Sequence, residues 1–272
     1  MQHQEVGPHE ALRDVIKCVW YNSRDFGEHQ ASFEVIPDGY VELIFYFGGP
    51  CGLSTDPGSP PLPSPFLTGL LNHPVQFYSK NRLDILGVRF FPWTVFNLLG
   101  LPSDGQEVRL IKHSIANLQP TLTECVQAGN WEAALDQVTT YFLQLRAGLV
   151  SDHLLLKAGG AMQAANGTLP VSEVAEAAHA TVRTLERRFR QAAGHTVKDV
   201  SGLMRFEQVR NQLWLHPEAA IAGLAHDLGY ADQAHLSREF KRYSGTTPAA
   251  FARKAKREKQ ALGTDFVAFV QA

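Results

Sequence analysis

Residues Ile221 to Arg253 read IAGLAHDLGYADQAHLSREFKRYSGTTPAAFAR, and this stretch decides the C-terminal half of the fold. Ile221, Leu224, Ala225 and Leu228 recur at helical spacing. Gly229 stops that helix, because glycine takes the left-handed conformation of a C-terminal cap without steric cost. Three residues on, Asp232 can cap a second helix by accepting from a free backbone N–H. That helix carries Leu236, Phe240 and Tyr243 on one face, with Gln233, Ser237, Arg238 and Lys241 largely on another. Two short helices joined by a tight glycine turn, the second with an exposed polar face, make the helix-turn-helix pattern. In it the second helix enters the DNA major groove and the first braces it. The pattern alone also fits an ordinary helical hairpin whose polar face meets only water.

Repetition favours the DNA-reading alternative. Val171–Thr196 matches Ile221–Thr247 in two blocks. Val171, Val174, Ala175 and Ala178 lie 50 residues before Ile221, Leu224, Ala225 and Leu228. Leu185, Arg187, Phe189, Arg190, Gly194 and Thr196 lie 51 residues before Leu236, Arg238, Phe240, Lys241, Gly245 and Thr247. The turn thus gains one residue in the second copy, and a duplicated reading head is hard to explain as scaffolding.

Ala225, Gly229, Tyr230, Gln233, Leu236, Arg238, Phe240, Lys241, Gly245, Thr247, Pro248 and Phe251 together resemble the C-terminal signature of the AraC/XylS transcription regulators. The resemblance covers roughly residues 151–253. It implies two helix-turn-helix units joined by a long helix, their reading helices entering successive major-groove segments about one helical turn (~34 Å) apart. Val197–Leu215 supplies the connector, with Leu203, Phe206, Val209, Arg210 and Leu213 at helical spacing. One departure from the pattern is Thr196-Val197 in the first unit, where the second has Thr247-Pro248. The reading positions implied by the resemblance are Gln233, Ala234, Ser237 and Arg238 in the second unit and Arg183, Thr184, Glu186 and Arg187 in the first. Arginine reaches G bidentately, glutamine does so with A, and glutamate accepts from the amino group of C. Arg188, Arg190, Lys241 and Arg242 are cast as phosphate contacts, which position without specifying sequence. The plainer reading of Arg187 and Arg238 is an intramolecular ion pair, and His235, beside the apolar stripe, reads as packing.

The composition suits such a protein. With 44% hydrophobic and 19% charged residues over 272 positions, the chain is long enough for two globular domains. Its net charge of −2 is uneven: residues 1–150 hold 9 Lys+Arg against 15 Asp+Glu, the remainder 16 against 12. The basic half is the one expected to meet phosphate. No apolar run approaches the roughly 20 residues that cross a bilayer, so no membrane contact is expected. The opening MQHQEVGPHEALRD has neither the basic flank nor the hydrophobic core of a secretory signal. Cys18, Cys51 and Cys125 are widely spaced, which argues against a disulfide framework. The expected home is a reducing cytoplasm.

The N-terminal half reads as β-rich. Residues 10–21 suit a short helix leading into a strand. Pro37-Asp38-Gly39 is a turn signal, and Val41–Phe47 reads as a buried strand. Residues 48–65, rich in Gly, Pro and Ser, read as a surface loop. Phe66–Leu71, Val75–Ser79 and Leu83–Phe91 read as strands, and Trp93–Leu99, Ile115–Ala128 and Trp131–Val150 as helices. Leu135, Val138, Phe142, Leu145 and Leu149 form an apolar stripe on the last, and Trp131–Val150 is the segment offered for dimerisation. The expected fold class is therefore an α+β domain, a small β-sheet or barrel plus helices, followed by an all-α domain of two helix-turn-helix units on a long helix. The expected boundaries are 1–150 for the sensory or dimerising domain, 151–255 for the DNA-binding domain and 256–272 for a C-terminal extension. Lys254, Lys256, Arg257 and Lys259 start that extension as a cationic face, solvated or on phosphate, and apolar Phe266–Val270 would fold back. The combinations PDGYVELIFYFG, FLTGL and LGVRFFPW resemble the N-terminal domain of one AraC-type subgroup.

Catalytic and metal readings find little support. His3 and His9 fall in a terminus expected to be loose, and no Cys or His pair has zinc-ligand spacing. The chain lacks a GxxxxGK[ST] loop and a GxSxG elbow. Asp38 and Glu42 read more simply as a turn aspartate and an edge-strand glutamate than as a catalytic pair. Cys18 and Cys125 read as small core residues. Two readings of the N-terminal aromatics stay open. Tyr40, Phe45, Phe47, Phe77, Phe90 and Trp93 could line an apolar pocket in which Glu42 or Arg89 orients a small molecule, or they fill a core. The expectation is a sequence-specific DNA-binding regulator, not an enzyme, without cofactor or metal. Its partner is double-stranded DNA, with RNA polymerase, an unidentified small-molecule effector and a second copy of the chain as further partners. The competing reading is an enzymatic or ligand-binding β-domain with the helical half as an accessory.

Overall fold

The computed structural model describes residues 2–54, 60–103, 105–150 and 152–262, with side chains through Arg257. Phe266–Val270, the Lys259 side chain and Ser151 lie outside the described residues. Among the described residues nine strands come first: β1 (Gln2–Val6), β2 (Ile16–Asp25), β3 (Ala31–Val35), β4 (Val41–Gly48), β5 (Cys51–Leu53), β6 (Phe66–Thr68), β7 (Val75–Ser79), β8 (Arg82–Phe90) and β9 (Val108–Leu110). They form two antiparallel sheets, one of six strands in the order β1-β2-β8-β4-β6-β9 and one of three in the order β3-β7-β5. Among the described residues ten α-helices accompany and follow them: α1 (Val95–Leu98), α2 (Gln119–Gln127), α3 (Trp131–Ala147), α4 (His153–Ala164), α5 (Val171–Ala177), α6 (Val182–Ala193), α7 (Val197–Leu215), α8 (Ile221–Asp227), α9 (Gln233–Ser244) and α10 (Pro248–Leu262). The fold is thus a β-rich N-terminal half followed by a helical C-terminal half.

Strand alternation places the large sheet between two apolar layers. On β4, Leu43, Phe45 and Phe47 face the helices, while Ile44 faces the small sheet. On β8, Leu86, Val88 and Phe90 face the helices and Leu83 the small sheet. The helix-side core continues without a break into the C-terminal half, through Trp93, Phe189, Phe206 and Phe240. The layer between the sheets is separate, built on Trp20, Ile44, Phe66 and Phe77.

Several sequence expectations change. The first residues are not loose: β1 pairs with β2 in register from Gln2↔Ser23 to Val6↔Val19, and His9 caps a 3-10 turn at Glu10–Leu12 by accepting from the Ala11 N–H at 3.2 Å. β1 is an exposed edge strand, so it lacks the apolar alternation by which strands are recognised. The Gly/Pro/Ser-rich segment contains β5, whose three residues pair with β7 and close the small sheet. Glu42 is not on an edge strand, because β4 lies between β8 and β6. On α3, Leu135, Val138 and Phe142 are buried in the chain's own core. That face is therefore occupied, and a dimer contact on α3 would have to use its polar side.

Candidate nucleic-acid interface and the cavity behind it

The duplicated helix pairs fold alike because the same signals recur at the same offsets. In the first copy, Thr181 caps α6 by accepting from the Thr184 N–H at 3.2 Å, and Gly194 ends it at φ 73°. In the second, Asp232 caps α9 by accepting from the His235 N–H at 2.6 Å, and Gly245 ends it at φ 70°. Each helix buries one stripe, Leu185 and Phe189 on α6 and Leu236, Phe240 and Tyr243 on α9. The turn before α9 uses Gly229 at φ 68°; fifty residues earlier His179 takes the same left-handed conformation at φ 53°, which is uncommon for a side-chain-bearing residue. Thr196-Val197 starts α7 without a proline because Thr196 and Asp199 form a reciprocal capping box, with the Asp199 N–H donating to Thr196 Oγ1 at 3.1 Å and the Thr196 N–H to Asp199 Oδ2 at 3.0 Å.

Burial of those stripes leaves a polar face on each reading helix. Arg183 and Arg187 on α6 are exposed, as are Gln233, Ala234 and Arg238 on α9, while Thr184 and Ser237 are half-buried. Among the described residues neither Arg187 nor Arg238 has an ion-pair partner. Glu186 differs: one carboxylate oxygen is buried without a hydrogen-bond partner among the described residues, so the side chain turns partly inward. Lys241 and Arg242 are exposed, the latter lying 5.2 Å over the Tyr243 ring. Arg188 and Arg190 border a cleft of about 1000 Å3 between α6 and the N-terminal half. There Arg188 pairs with Asp152 at 3.0 Å. His235 packs edge-on against Tyr230, centroids 5.3 Å apart, as its place beside the stripe implies.

The connector α7 fixes the two units relative to one another. Arg205 donates to the Gly167 carbonyl, ahead of the first unit, at 2.9 Å and to Glu239 Oε1, on α9, at 3.3 Å. Its guanidinium also lies 5.2 Å over the Tyr230 ring. Phe206, on the same helix, packs against Phe240 and Tyr243 with centroids 5.0 and 5.3 Å away.

The connector also reaches the β-rich half. The turn predicted at Pro37-Asp38-Gly39 forms, with Asp38 Oδ1 accepting from the Tyr40 N–H at 3.1 Å. It docks on α7, where Arg210 Nη1 donates to the Pro37 carbonyl at 3.3 Å. Behind this turn, between the two sheets, lies a cavity of about 120 Å3. Its walls are mainly apolar, with Trp20, Phe33, Phe66 and Phe77 among them, and its polar groups include Asp38, Glu42, Thr68 and Arg210. Arg89, directly across from Glu42 in the β4–β8 register, is buried behind these acids and pairs with Glu42 at 2.8 Å and Asp38 at 3.3 Å. Burial alone would disfavour its charge; Glu42 and Asp38 outweigh that and raise its pKa. On Glu42 burial dominates and pushes the carboxyl up, against the pull of Arg89. Glu207 on α7 is the other perturbed acid here: burial pushes it up to about 7, with Arg210 pulling it down and Asp38 adding to the rise.

Comparison with known proteins assigns the helical part. Residues 174–254 match a helix-turn-helix domain family, and residues 4–107 match a domain of unknown function (DUF6597). The C-terminal part of this chain is an AraC-type DNA-binding domain. The chain is accordingly a DNA-binding transcription regulator. No curated protein sequence matches it. Among solved structures it is similar to ToxT from Vibrio cholerae O395, at 10% identity and a TM-score of 0.46 over 86% of this chain and 97% of that one. It is also similar to the DNA-binding domain of AdpA, a global transcriptional factor solved with a target DNA, at 26% identity and a TM-score of 0.37 over 42% of this chain and 100% of that one. A transcriptional regulator from Chromobacterium violaceum with an AraC-type DNA-binding domain is similar at 22% identity and a TM-score of 0.34, over 41% of this chain and 95% of that one.

For this regulator the structure separates the residues offered as effector contacts. Tyr40 and Glu42 line the cavity. Phe45 does not: it lies on the opposite face of β4, fully buried in the helix-side core. Period-two alternation forbids residues 42 and 45 from sharing a face. Phe47 and Phe90 join Phe45 in that core. Trp93 is also elsewhere, stacked on Phe91 at 5.2 Å and packed 6.0 Å from Phe189 of α6. Arg89 stands behind the lining acids. Sequence reasoning missed Asp38 as a ligand-side group and Arg210 altogether, since Arg210 reads simply as one more residue on the inward stripe of the connector. Among the described residues there is no cluster of His, Cys, Asp and Glu that could hold a metal, and no helix is long and apolar enough to cross a membrane.

Proposed function

We propose that this regulator reads two successive major-groove segments with α6 and α9, and that a small molecule in the cavity between its sheets sets how well it does so. The observation that carries the proposal is the position of α7. One helix holds both helix-turn-helix units, through Arg205 and Phe206, and contributes Arg210 to the cavity wall. Occupancy of the cavity can therefore bias the arrangement of the reading helices, provided the ligand favours one arrangement over another. The exposed Arg183, Arg187, Gln233 and Arg238 are the base-reading side chains in this proposal, with Thr184, Ser237 and Ala234 beside them. Lys241 and Arg242 contact phosphate. Arg188 and Arg190 reach phosphate only if they leave the cleft that they border here. The protein acts by binding, without turnover of its ligand. Residues 1–150 are its sensory part and 151–255 its DNA-binding part. A second copy and RNA polymerase are its further partners in the reading of a cytoplasmic regulator.

The test is fluorescence anisotropy of the full chain against duplexes tiled across its own upstream region, at two salt concentrations. The expected result is saturable binding to one tile well above the rest, weakening as salt rises. Equal weak binding to every tile, with or without small molecules added, refutes sequence-specific reading.

A further inference from the structure

We propose that the cavity takes a small organic acid whose apolar body is about the size of one aromatic ring, and that Arg210, on the connector helix of the DNA-binding half, holds its carboxylate. This rests on the reading of the cavity as the effector site and names the class of effector and the residue that senses it.

Size sets the first limit. An engineered protein cavity of about 150 Å3 holds benzene, so the 120 Å3 here suits a single ring or a short branched chain. Phe33, Phe66, Phe77 and Ile44 present apolar surface to that body.

Charge sets the second. Two acids line the wall, but both are engaged. Glu42 Oε1 accepts from Trp20 Nε1 at 3.1 Å and from Arg89 Nε at 2.8 Å, and Asp38 pairs with the same arginine at 3.3 Å. Arg89 is buried and pairs with both, and burial pushes the Glu42 carboxyl toward its uncharged form, so they offer little to a cationic ligand. Arg210 is in the opposite condition. It is 9% exposed, and its Nη1 donates a 3.3 Å bond to the Pro37 carbonyl. Its Nε is buried with no hydrogen-bond partner among the described residues. A charged donor held out of water without an acceptor is costly. An anionic acceptor arriving from the cavity relieves that cost most fully, because charge-assisted hydrogen bonds to guanidinium are the strong ones. The acid one turn back on α7, Glu207, leaves room for such an anion. Burial raises its pKa to about 7, so near neutral pH a large fraction of it is uncharged and does not compete for Arg210. The ligand would then touch the DNA-binding half directly, with no relay through the β-rich half.

Three molecules of one shape test this: benzoate, the neutral benzamide and the cationic benzamidine, each titrated calorimetrically into the full-length protein at millimolar concentration. Benzoate is expected to bind saturably, with the other two at least about tenfold weaker. Arg210→Met should abolish that preference. Thermal unfolding without ligand reports whether the variant folds, and Arg210→Lys, which keeps the charge and loses Nε, serves if it does not. The Lys variant should weaken benzoate several-fold and leave benzamide unchanged. Equal binding of benzoate and benzamide, tighter binding of benzamidine, no binding of any of the three, or benzoate binding that survives Arg210→Met each overturns the inference. Benzoate that binds through Arg210 without moving affinity for the DNA site leaves the inference standing and refutes the effector reading instead.

Discussion

Arg205 offers the sharpest test of how the two reading units are held. It sits on α7 and spans from the Gly167 carbonyl at 2.9 Å to Glu239 on α9 at 3.3 Å, with the Tyr230 ring 5.2 Å beneath its guanidinium. Arg205 and Glu239 side chains are 14% and 16% exposed, so water compensates little for a lost partner. Arg205→Ala removes two hydrogen bonds of the charged kind and a cation–π contact, and leaves the largely buried Glu239 carboxylate with the Tyr230 hydroxyl but no cation. A charged hydrogen bond contributes about 1.5–3 kcal/mol and an accessible cation–π contact about 0.5–1 kcal/mol. The substitution should therefore cost about 3 kcal/mol in urea denaturation. Part of that cost belongs to Glu239 itself, so Glu239→Gln on top of Arg205→Ala should cost less than the two singles together, with a coupling of about 1–2 kcal/mol. In DNA titrations the loss should be larger on a duplex carrying both segments than on one carrying a single segment, because only the former needs both units in register. A coupling under about 0.3 kcal/mol, or equal losses on both duplexes, would refute the idea that this arginine sets the relative placement of the units.

Three further outcomes follow from the same geometry. Arg238→Ala should lose about 1–3 kcal/mol on the specific site and relax one base position, whereas Lys241→Ala should weaken all sequences alike and lower the salt slope by about one; anisotropy on single-base variants of the site separates the two. Gly194→Ala should lower thermal stability more than Gly245→Ala. Both positions have φ near +70°, at a cost of about 1 kcal/mol each, but only at 194 does the new Cβ fall 3.0 Å from a backbone atom, the Gly105 N of the β-rich half. Glu207→Gln should stabilise the protein at pH 8 and have little effect at pH 5, as read by thermal unfolding. The folded-state pKa of about 7 lies above the ordinary 4.5, so the native state binds this proton more tightly and loses stability as pH rises between those values. The loss is on the order of 1–3 kcal/mol and is absent in the amide. The groups facing Glu207 are Asp38, Tyr40 and Arg89 of the β-rich half, Lys17 on β2 and Arg210 on its own helix. A pH dependence unchanged by the substitution would show that Glu207 is not the group being titrated.

What could be read from the chain and what could not divide along a physical line. The helix-turn-helix units were legible because their determinants are local: a cap residue, a stripe at helical spacing and a glycine, all within twenty-odd residues and written twice. The offsets of 50 and 51 residues in the sequence are the offsets between α5 and α8 and between α6 and α9 in the structure. The buried strands of the large sheet were legible for a similar reason. β1, β5 and β9 were not: β1 and β9 are edge strands without a buried residue, and β5, though buried at Cys51 and Gly52, is only three residues long, too short to show alternation. The cavity needed more than local pattern. Its lining comes from strands of both sheets, and a list of nearby aromatics cannot say which of two apolar layers each will join. The strand period could have said so for Phe45, which stands an odd number of residues from Glu42. Arg210 lay beyond any such rule. Helical spacing places it on the inward stripe of α7, where the expected occupant is apolar, and the reason for an arginine there is a carbonyl 173 residues away in sequence. A charged residue on an otherwise apolar stripe is the one signal the sequence did offer, because it must find a partner that the helix itself does not supply. In this structure the Pro37 carbonyl meets one of its donors, and the Nε still facing no acceptor is what turns an odd core residue into a candidate sensor.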